Sequence, residues 1–267
     1  MPETNCHHCG GCKAEEKKDK CSGLKDRLGI KSMILKTWGI LKDADDLSPK
    51  NTIINDALKG LVETILAQSA PQNYGVDDSE DVRLLLSAPE IREIIESMWK
   101  KLSCAEAAME FWWADKFIND VKSSLDTFWY RDNYRELVRL ELKLWKEKKH
   151  PVTKDSHFVF IGSGPLPMTA IDVHEQTGAM VTCVDNDPSA VSKSRLLIRR
   201  LNLHKVIKIV QADGKNVRYE GITHSLIAAL VPNQSEVAFR IIQDAPKAII
   251  GVRSASGFFT IFFLPFN

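Results

Sequence analysis

Two glycines one residue apart stand between a short apolar run and a helical pattern near the middle of the chain. Gly162 and Gly164 follow the run 157–161, and apolar residues at helical spacing begin at about residue 170. This order predicts a strand, a tight turn and a helix, because glycine lets the backbone turn sharply and approach a ligand. The amino terminus of the helix also favours negative charge. We therefore treat the turn as a candidate ligand-binding segment.

Acidic residues follow two later strand patterns. Asp185 ends the run 180–184, and Asp213 follows the run 206–210. The carboxyl ends of parallel strands meet at one edge of a sheet, so both acids are expected beside the glycine turn. An acid after the second strand can hold ribose hydroxyls, and Asp213 is placed to accept a hydrogen bond from an adenine amino group. Together these residues predict a nucleoside site.

The turn lacks two features of a dinucleotide site. Leu166 and Pro167 stand where the third glycine of that fingerprint would lie, and the turn contains no lysine or arginine to offset phosphate charge. S-adenosylmethionine carries ribose and adenine but no phosphate, and its sulfonium is positive. We expect it as the ligand, bound as a substrate.

A glutamate interrupts the apolar face of a predicted helix in the amino-terminal half. Glu110 lies at helical spacing from Ala107, Trp113, Ala114 and Phe117. An acid on an apolar stripe loses hydration, which raises its pKa and suits it to accept a proton from an amine. The structural alternative is that Glu110 reaches past the alanines to a basic partner.

An aromatic segment, 127–134, precedes the last long helix pattern of this half. Its rings are typical of packing between domains, but the hydroxyls of Tyr130 and Tyr134 need polar partners if buried. We expect them at the mouth of the nucleoside site, facing a substrate carboxylate or amine. Asn233 and Arg253 follow later strand patterns and are expected at the same edge.

The pattern of elements predicts an α/β fold, a Rossmann-like doubly wound sheet of the S-adenosylmethionine methyltransferase type, preceded by an all-helical domain. The expected domains are a Cys/His-rich segment at 1–23, a helical domain at 24–150 and a Rossmann-like domain at 151–267. The last contains six strand patterns, the sixth at 258–263. Ser103 and Glu106 form a capping box that predicts a helix start, and Ser235 is the predicted cap of a later helix.

Four of the six cysteines lie in the first 21 residues, as Cys6, Cys9, Cys12 and Cys21. Closely spaced thiolates with glycines between them can hold zinc, nickel or an iron–sulfur cluster. The alternative is a redox-sensitive tail that binds no metal.

Composition excludes several classes of function. The 267 residues include 36 basic and 35 acidic side chains, a net charge of +1 that implies no general attraction to nucleic acid or membrane. No apolar run approaches the roughly 20 residues that span a bilayer, and the first eight residues contain no signal core. We expect a cytoplasmic protein.

Four segments resemble the nicotianamine synthase family, including microbial relatives that make opine-type metallophore precursors. The resemblance covers about residues 103–262, and the sequence Gly-Pro-Leu-Pro at 164–167 is far more specific than two glycines alone. The segments are Phe160–Thr169, Val184–Ser189, Ile227–Leu230 and Val252–Gly257.

The resemblance implies transfer of the 3-amino-3-carboxypropyl (aminobutanoyl) group of S-adenosylmethionine to an amine acceptor, with release of methylthioadenosine, to build a nicotianamine-like metal chelator. It implies that Glu110 is catalytic and that Tyr134 lies in the substrate pocket. The expected S-adenosylmethionine-binding residues are Gly162, Ser163, Gly164, Pro165, Leu166, Asp185, Asp213 and Ala228. The expected substrate-binding residues are Tyr130, Asn233 and Arg253.

The chain departs from the family in three places. Its first 21 residues lie outside the family core, Phe259 replaces a basic residue, and the sequence ends at Asn267 where the family continues with a further strand. A sheet that ends on 258–263 would expose an apolar edge. The expected alternatives are a naturally short chain, a homodimer that covers the edge, or a truncated and weakly active chain. Two rival functions are an ordinary methyltransferase, which releases S-adenosylhomocysteine, and a non-catalytic metal-binding protein that uses the cysteines.

Overall fold

The computed structural model describes residues 29–68, 80–120, 122–255 and 257–263. The predicted metal ligands Cys6, Cys9, Cys12 and Cys21 lie outside these ranges. Within the ranges, no group of three or more histidine, cysteine, aspartate or glutamate side chains could hold a metal ion. No helix in the described part of the chain is long and apolar enough to cross a membrane.

Packing divides the chain into two units, the first of which is helical. Of the described residues, it comprises 29–46, 51–68, 80–101 and 257–261. Its described elements are α1 (29–41), α2 (Thr52–Gln68), α3 (Glu80–Ser87), the first part of α4 (Pro89–Asn119) and a 3₁₀ helix (Gly257–Ile261). Apolar residues at helical spacing give each long helix one buried face, as in α2, where Ile54, Leu61 and Ile65 are almost fully buried.

The predicted sixth strand is wrong, because residues 257–261 form the 3₁₀ helix of this first unit. Phe258 and Ile261 are buried, and the indole Nε1 of Trp99 donates a hydrogen bond to the Thr260 carbonyl at 2.8 Å. A short apolar run is compatible with a buried helical turn as well as with a strand, so its periodicity alone does not distinguish the two.

Of the described residues, the second unit comprises 47–50, 102–120, 122–255 and 262–263. It contains the rest of α4, a 3₁₀ helix (Leu125–Thr127) and α5 (Arg131–Glu147), followed by alternating strands and helices. The strands are β1 (His157–Ile161), β2 (Met180–Asp185), β3 (Ile207–Gln211), β4 (His224–Ile227) and β5 (Ile249–Val252). The helices between them are α6 (Met168–Thr177), α7 (Pro188–Arg200) and α8 (Gln234–Asp244). Residues 102–150 belong to the predicted helical domain, but packing places their described part in the second unit. The predicted domain boundaries stay a prediction.

The five described strands form one parallel sheet in the order β3-β2-β1-β4-β5. The predicted Rossmann-like fold is thus confirmed for the described residues. Apolar residues of β1 pack into clusters on both faces of the sheet, with Phe158 and Phe160 on one face and Val159 and Ile161 on the other. Strand β1 pairs with β2 on one side and with β4 on the other. The strand order therefore reverses at β1, and in sheets of this type ligands bind outside the carboxyl edge at such a point.

Two predicted helix starts are wrong. Helix α4 runs without a break through Ser103 and Glu106, because no glycine or proline interrupts the helical pattern there. Helix α8 begins at Gln234 rather than after Ser235, and its N-cap residue, Asn233, adopts a left-handed conformation and forms no side-chain cap.

Candidate active site

The turn after β1 requires glycine at two positions. Gly162 and Gly164 have φ angles of 77° and 64°, in the left-handed region that favours glycine. A Cβ atom on Gly162 would collide with the Val231 side chain, and a Cβ atom on Gly164 would collide with Oε2 of Glu110. The turn thus brings its backbone directly against the Glu110 carboxyl.

The carboxyl of Asp185 is oriented by two backbone groups. The Gly164 N–H donates to Oδ2 at 2.7 Å, and the Asp187 N–H donates to Oδ1 at 3.0 Å. Since each carboxylate oxygen can accept more than one hydrogen bond, the group keeps acceptor capacity for ligand hydroxyls. Asp185 is placed as predicted, at the carboxyl end of β2 beside the glycine turn.

Glu110 and Tyr134 meet between α4 and α5. The Tyr134 hydroxyl donates to Oε1 of Glu110 at 3.3 Å, and both side chains are half-buried. Loss of solvent raises the pKa of Glu110 well above its usual range, and the charges of Glu106 and Asp185 raise it further. Loss of solvent also raises the pKa of Tyr134, so its hydroxyl stays protonated and donating.

Glu106 is a member of this cluster that the sequence analysis assigned only to a capping box. It lies one helical turn before Glu110 on the same face of α4, and loss of solvent raises the pKa of its carboxyl. The pKa of Tyr130 is also raised, first by loss of solvent and then by the charge of Glu106. The spacing of four residues between two glutamates on one helix was the signal that would have revealed it.

Arg253 is held by Glu141, which the sequence analysis did not single out. The guanidinium Nε and Nη2 donate to the two carboxylate oxygens at 2.8 and 3.1 Å, and Nη1 donates to the Thr169 hydroxyl at 3.0 Å. Its charge lowers the pKa values of both Glu106 and Glu110. Arg253 therefore acts on the cluster through its charge, with three of its five N–H groups already engaged.

The remaining predicted residues lie around the same edge of the sheet. Asp213 caps a 3₁₀ helix (Gly214–Asn216), where its Oδ1 accepts from the Lys215 N–H at 3.0 Å. Ala228 follows β4, and its N–H donates to the Ile161 carbonyl at 2.9 Å. Asn233 is exposed.

Several residues of the turn are closed to solvent. Ser163, Pro165 and Leu166 are buried. The Ser163 hydroxyl lies beside the thiol of Cys183, whose pKa is raised by burial to about 12. Cys183 is thus a protonated core residue and supplies neither a nucleophile nor a metal ligand.

The structure brings Glu110, Tyr134, Gly164 and Asp185 together, with Glu106 and Arg253 near enough to act electrostatically. Such a cluster can hold a cationic or nucleoside ligand and accept a proton from it. The roles of the individual residues stay predictions.

Several solved structures share this fold. The structure of MtNAS in complex with MTA and tNA matches with a TM-score of 0.73 and 20% identity, covering 96% of this chain and 89% of that one. A mutant of MtNAS in complex with S-adenosylmethionine matches with a TM-score of 0.71, also at 20% identity, covering 89% of this chain and 86% of that one.

Characterised relatives are similar at lower coverage. An L-histidine 2-aminobutanoyltransferase from Yersinia pestis is 28% identical over 138 residues, which is 51% of this chain and 50% of the relative. Nicotianamine synthase 3 from Arabidopsis thaliana is 26% identical over 230 residues, which is 80% of this chain and 67% of the relative. The chain thus spans about half the length of the first relative and two thirds of the second.

The family model for nicotianamine synthase protein matches residues 30–264, which include parts of both packing units and every described residue of the site. The chain therefore belongs to the nicotianamine synthase family.

Proposed function

We propose that this protein transfers the aminobutanoyl group of S-adenosylmethionine to an amine and releases methylthioadenosine. The observation that carries the proposal is the placement of the Glu110 carboxyl at the glycine turn. The carboxyl accepts a hydrogen bond from the Tyr134 hydroxyl, lies directly beside Gly164 and has a pKa raised by loss of solvent. Membership of the nicotianamine synthase family and the names of the relatives from Yersinia pestis and Arabidopsis thaliana support it.

The residues at the carboxyl edge fit S-adenosylmethionine. Asp185 keeps acceptor capacity for the ribose hydroxyls beside the glycine turn. The negative charges of Glu106, Glu110 and Asp185 suit a positive sulfonium, since opposite charges attract strongly where solvent is reduced. A phosphate-bearing nucleotide would instead meet repulsion.

The reaction needs a neutral amine. An alkylammonium group is protonated at neutral pH and has no free electron pair, so a nearby base must take its proton. A carboxylate with a raised pKa is a better proton acceptor than an ordinary one. We assign this role to Glu110, with Tyr134 orienting the carboxyl through the 3.3 Å hydrogen bond.

The bonds change in one displacement. The nitrogen electron pair forms a bond to the aminobutanoyl carbon attached to sulfur, while the carbon–sulfur bond breaks and its electron pair stays on sulfur. The sulfonium becomes the neutral thioether of methylthioadenosine, and the nitrogen, which gave one proton to Glu110 before the attack, becomes a secondary ammonium. Since three carbons flank a sulfonium, the position of the amine decides which group is transferred.

The product is a secondary amine with additional amino and carboxyl groups, the donor set of a metal chelator. The sequence prediction of a nicotianamine-like product agrees with this chemistry. The prediction that Cys6, Cys9, Cys12 and Cys21 bind metal stays a separate prediction.

Replacement of Glu110 tests the proposal. We expect Glu110→Gln to retain S-adenosylmethionine binding, measured by calorimetry, while methylthioadenosine release falls about a hundredfold or more, because amide cannot accept the amine proton. The control is Glu96→Gln, an exposed glutamate on the same helix, which should leave both unchanged. Unchanged turnover in Glu110→Gln would remove Glu110 from the mechanism.

A further inference from the structure

The guanidinium of Arg253 joins two helices at the carboxyl edge of the sheet. Its Nε and Nη2 donate to the two carboxylate oxygens of Glu141 on α5, at 2.8 and 3.1 Å. Its Nη1 donates to the hydroxyl of Thr169, in the first turn of α6, at 3.0 Å. A bidentate pair fixes the plane of the guanidinium as well as its distance. We call this contact of Glu141, Arg253 and Thr169 the Arg253 bridge.

Arg253 is itself fixed by the sheet. Its backbone N–H donates to the carbonyl of Ile227, the last residue of β4, and its carbonyl accepts from the side-chain amide of Gln234, both at 2.9 Å. The guanidinium Cζ lies 5.6 Å from the centre of the Phe160 ring on β1. The side chains of Arg253 and Glu141 are only 16% and 18% exposed, so solvent screens the pair weakly. The bridge therefore ties α5 to a fixed point of the sheet.

Helix α5 carries Tyr134 on the same face as Glu141. Seven residues separate the two, which is about two helical turns, or about 10 Å along the helix axis. The Tyr134 hydroxyl donates to Glu110 at 3.3 Å. In the first turn of α5, Arg131 donates to Asp172 of α6 at 2.5 Å. Tyr134 thus lies along α5 between two ties to α6, and the first tie alone would leave the helix free to pivot about it.

Helix α6 begins directly after the glycine turn. Thr169 is its second residue, after Met168, and Gly164 lies shortly before it in the turn. Gly164 lies directly against the Glu110 carboxyl. A movement of α5 relative to α6 would therefore move the Tyr134 hydroxyl relative to both the turn and the carboxyl.

We propose that Glu141 is a positioning residue, which uses the Arg253 bridge to hold the Tyr134 hydroxyl at the carboxyl of the proposed base. The proposal rests on the proposed transferase function, because it assigns a role in the same site. Loss of solvent raises the pKa of Glu110, and the charge of Arg253 opposes that rise. A guanidinium held in one place therefore also keeps the electrostatic surroundings of this carboxyl constant.

Replacement of one carboxylate oxygen tests the proposal. Glu141→Gln keeps the shape of the side chain, but its amide can accept only one of the two guanidinium hydrogen bonds. S-adenosylmethionine is supplied alone, or with the single amine that supports the fastest methylthioadenosine release by the wild-type protein. We expect kcat per S-adenosylmethionine-binding site, counted by calorimetry, to fall about tenfold, because small displacements from reacting geometry slow turnover. KM for S-adenosylmethionine should change by less than about twofold.

Glu136→Gln is the matched control. Glu136 forms a similar bidentate pair with Arg139, at 2.6 and 2.5 Å, but both residues lie on α5 and are half-exposed. This pair joins no second element to the helix, so its loss should leave kcat and KM unchanged. Equal values of kcat in Glu141→Gln and Glu136→Gln would overturn the proposal.

A double variant shows whether Glu141 acts through Arg253. Arg253→Met removes the bridge, so adding Glu141→Gln to it should cause no further loss of kcat, whereas independent effects would multiply. A further tenfold loss in the double variant would contradict the proposal. Thr169→Val leaves the charged pair intact and removes only the hydroxyl acceptor, so it serves where the other variants do not fold. It should lower kcat about threefold, and a wild-type kcat would equally count against the bridge.

The outcomes also separate this proposal from the function on which it rests. Methylthioadenosine release that is as fast in Glu141→Gln as in the wild-type protein overturns the positioning role and leaves the transferase function standing. No release by the wild-type protein overturns both. A tenfold loss in Glu141→Gln that disappears in the Arg253→Met background supports both.

Discussion

Gly164→Ala is the perturbation that most sharply tests the contact between the nucleoside turn and Glu110. The added methyl group would collide with Oε2 of Glu110, and the φ angle of 64° places alanine in the left-handed region. The backbone contribution alone is about 1–2 kcal/mol of lost stability. The collision also forces the carboxyl away from Gly164, and a displacement of about 1 Å from reacting geometry can reduce turnover about a hundredfold.

Gly221→Ala is the matched control. Gly221 has a φ angle of 76°, but a Cβ atom there meets nothing within 4 Å. Urea unfolding should show similar losses of stability for the two variants, while only Gly164→Ala should lose about a hundredfold in methylthioadenosine release. If Gly164→Ala turned over S-adenosylmethionine as fast as Gly221→Ala, the contact between the turn and Glu110 would not matter for catalysis.

Three further predictions follow from the charges of the second packing unit. Because ionised Glu110 accepts the proton of the amine, kcat should rise with pH through the raised pKa of Glu110. The charge of Glu106 raises that pKa, so Glu106→Gln should move the rise in kcat to lower pH. A pH profile that did not move would contradict the coupling of the two carboxyls. Glu110→Gln should increase the free energy of unfolding at neutral pH by on the order of 1 kcal/mol, and the gain should vanish at acidic pH. A raised pKa in the folded state means that the folded protein binds more protons at Glu110 than the unfolded chain does. The stability that Glu110 contributes therefore falls as pH rises from the ordinary carboxyl pKa through the raised one. A gain in the free energy of unfolding of Glu110→Gln that grew at acidic pH would refute this prediction. Arg131→Ala should lower stability by about 3–5 kcal/mol in urea unfolding, because it leaves Asp172 buried without its 2.5 Å ion pair. Arg135→Ala, which breaks exposed pairs, should lower stability by less than about 1 kcal/mol, and equal losses would show that burial is not decisive.

The glycine turn and its acid could be predicted because their signals are local. A strand that ends in Gly162 and Gly164, followed after one helix by a strand that ends in Asp185, fixes the sheet edge at which all three lie. Parallel strands with right-handed connections leave few other arrangements. The alternation of strands and helices predicted the fold class for the same reason.

Other features depended on contacts distant in sequence. The pairing of Arg253 with Glu141 joins residues 112 positions apart, and no spacing rule predicts it. The apolar run at 258–263 carried no period that distinguished a strand from a buried turn, and the hydrogen bond from Trp99 became apparent only in the structure. The capping box at Ser103 failed because a capping motif starts a helix only where the preceding residues are not already helical.

Glu110 illustrates how sequence and structure combine. Its position on an apolar stripe predicted a raised pKa, but the stripe could not name the groups around it. The structure supplies Tyr134 as hydrogen-bond donor, Gly164 as the contact with the turn and Glu106 as the neighbouring charge.

The central claim is that the aminobutanoyl group, rather than the methyl group, leaves S-adenosylmethionine. The most direct test is mass spectrometry of the nucleoside and amine products after incubation of the protein with S-adenosylmethionine, first alone and then with single amines. Methylthioadenosine together with an acceptor heavier by one aminobutanoyl unit is the predicted result. S-adenosylhomocysteine with a methylated acceptor would contradict the claim and make the protein a methyltransferase.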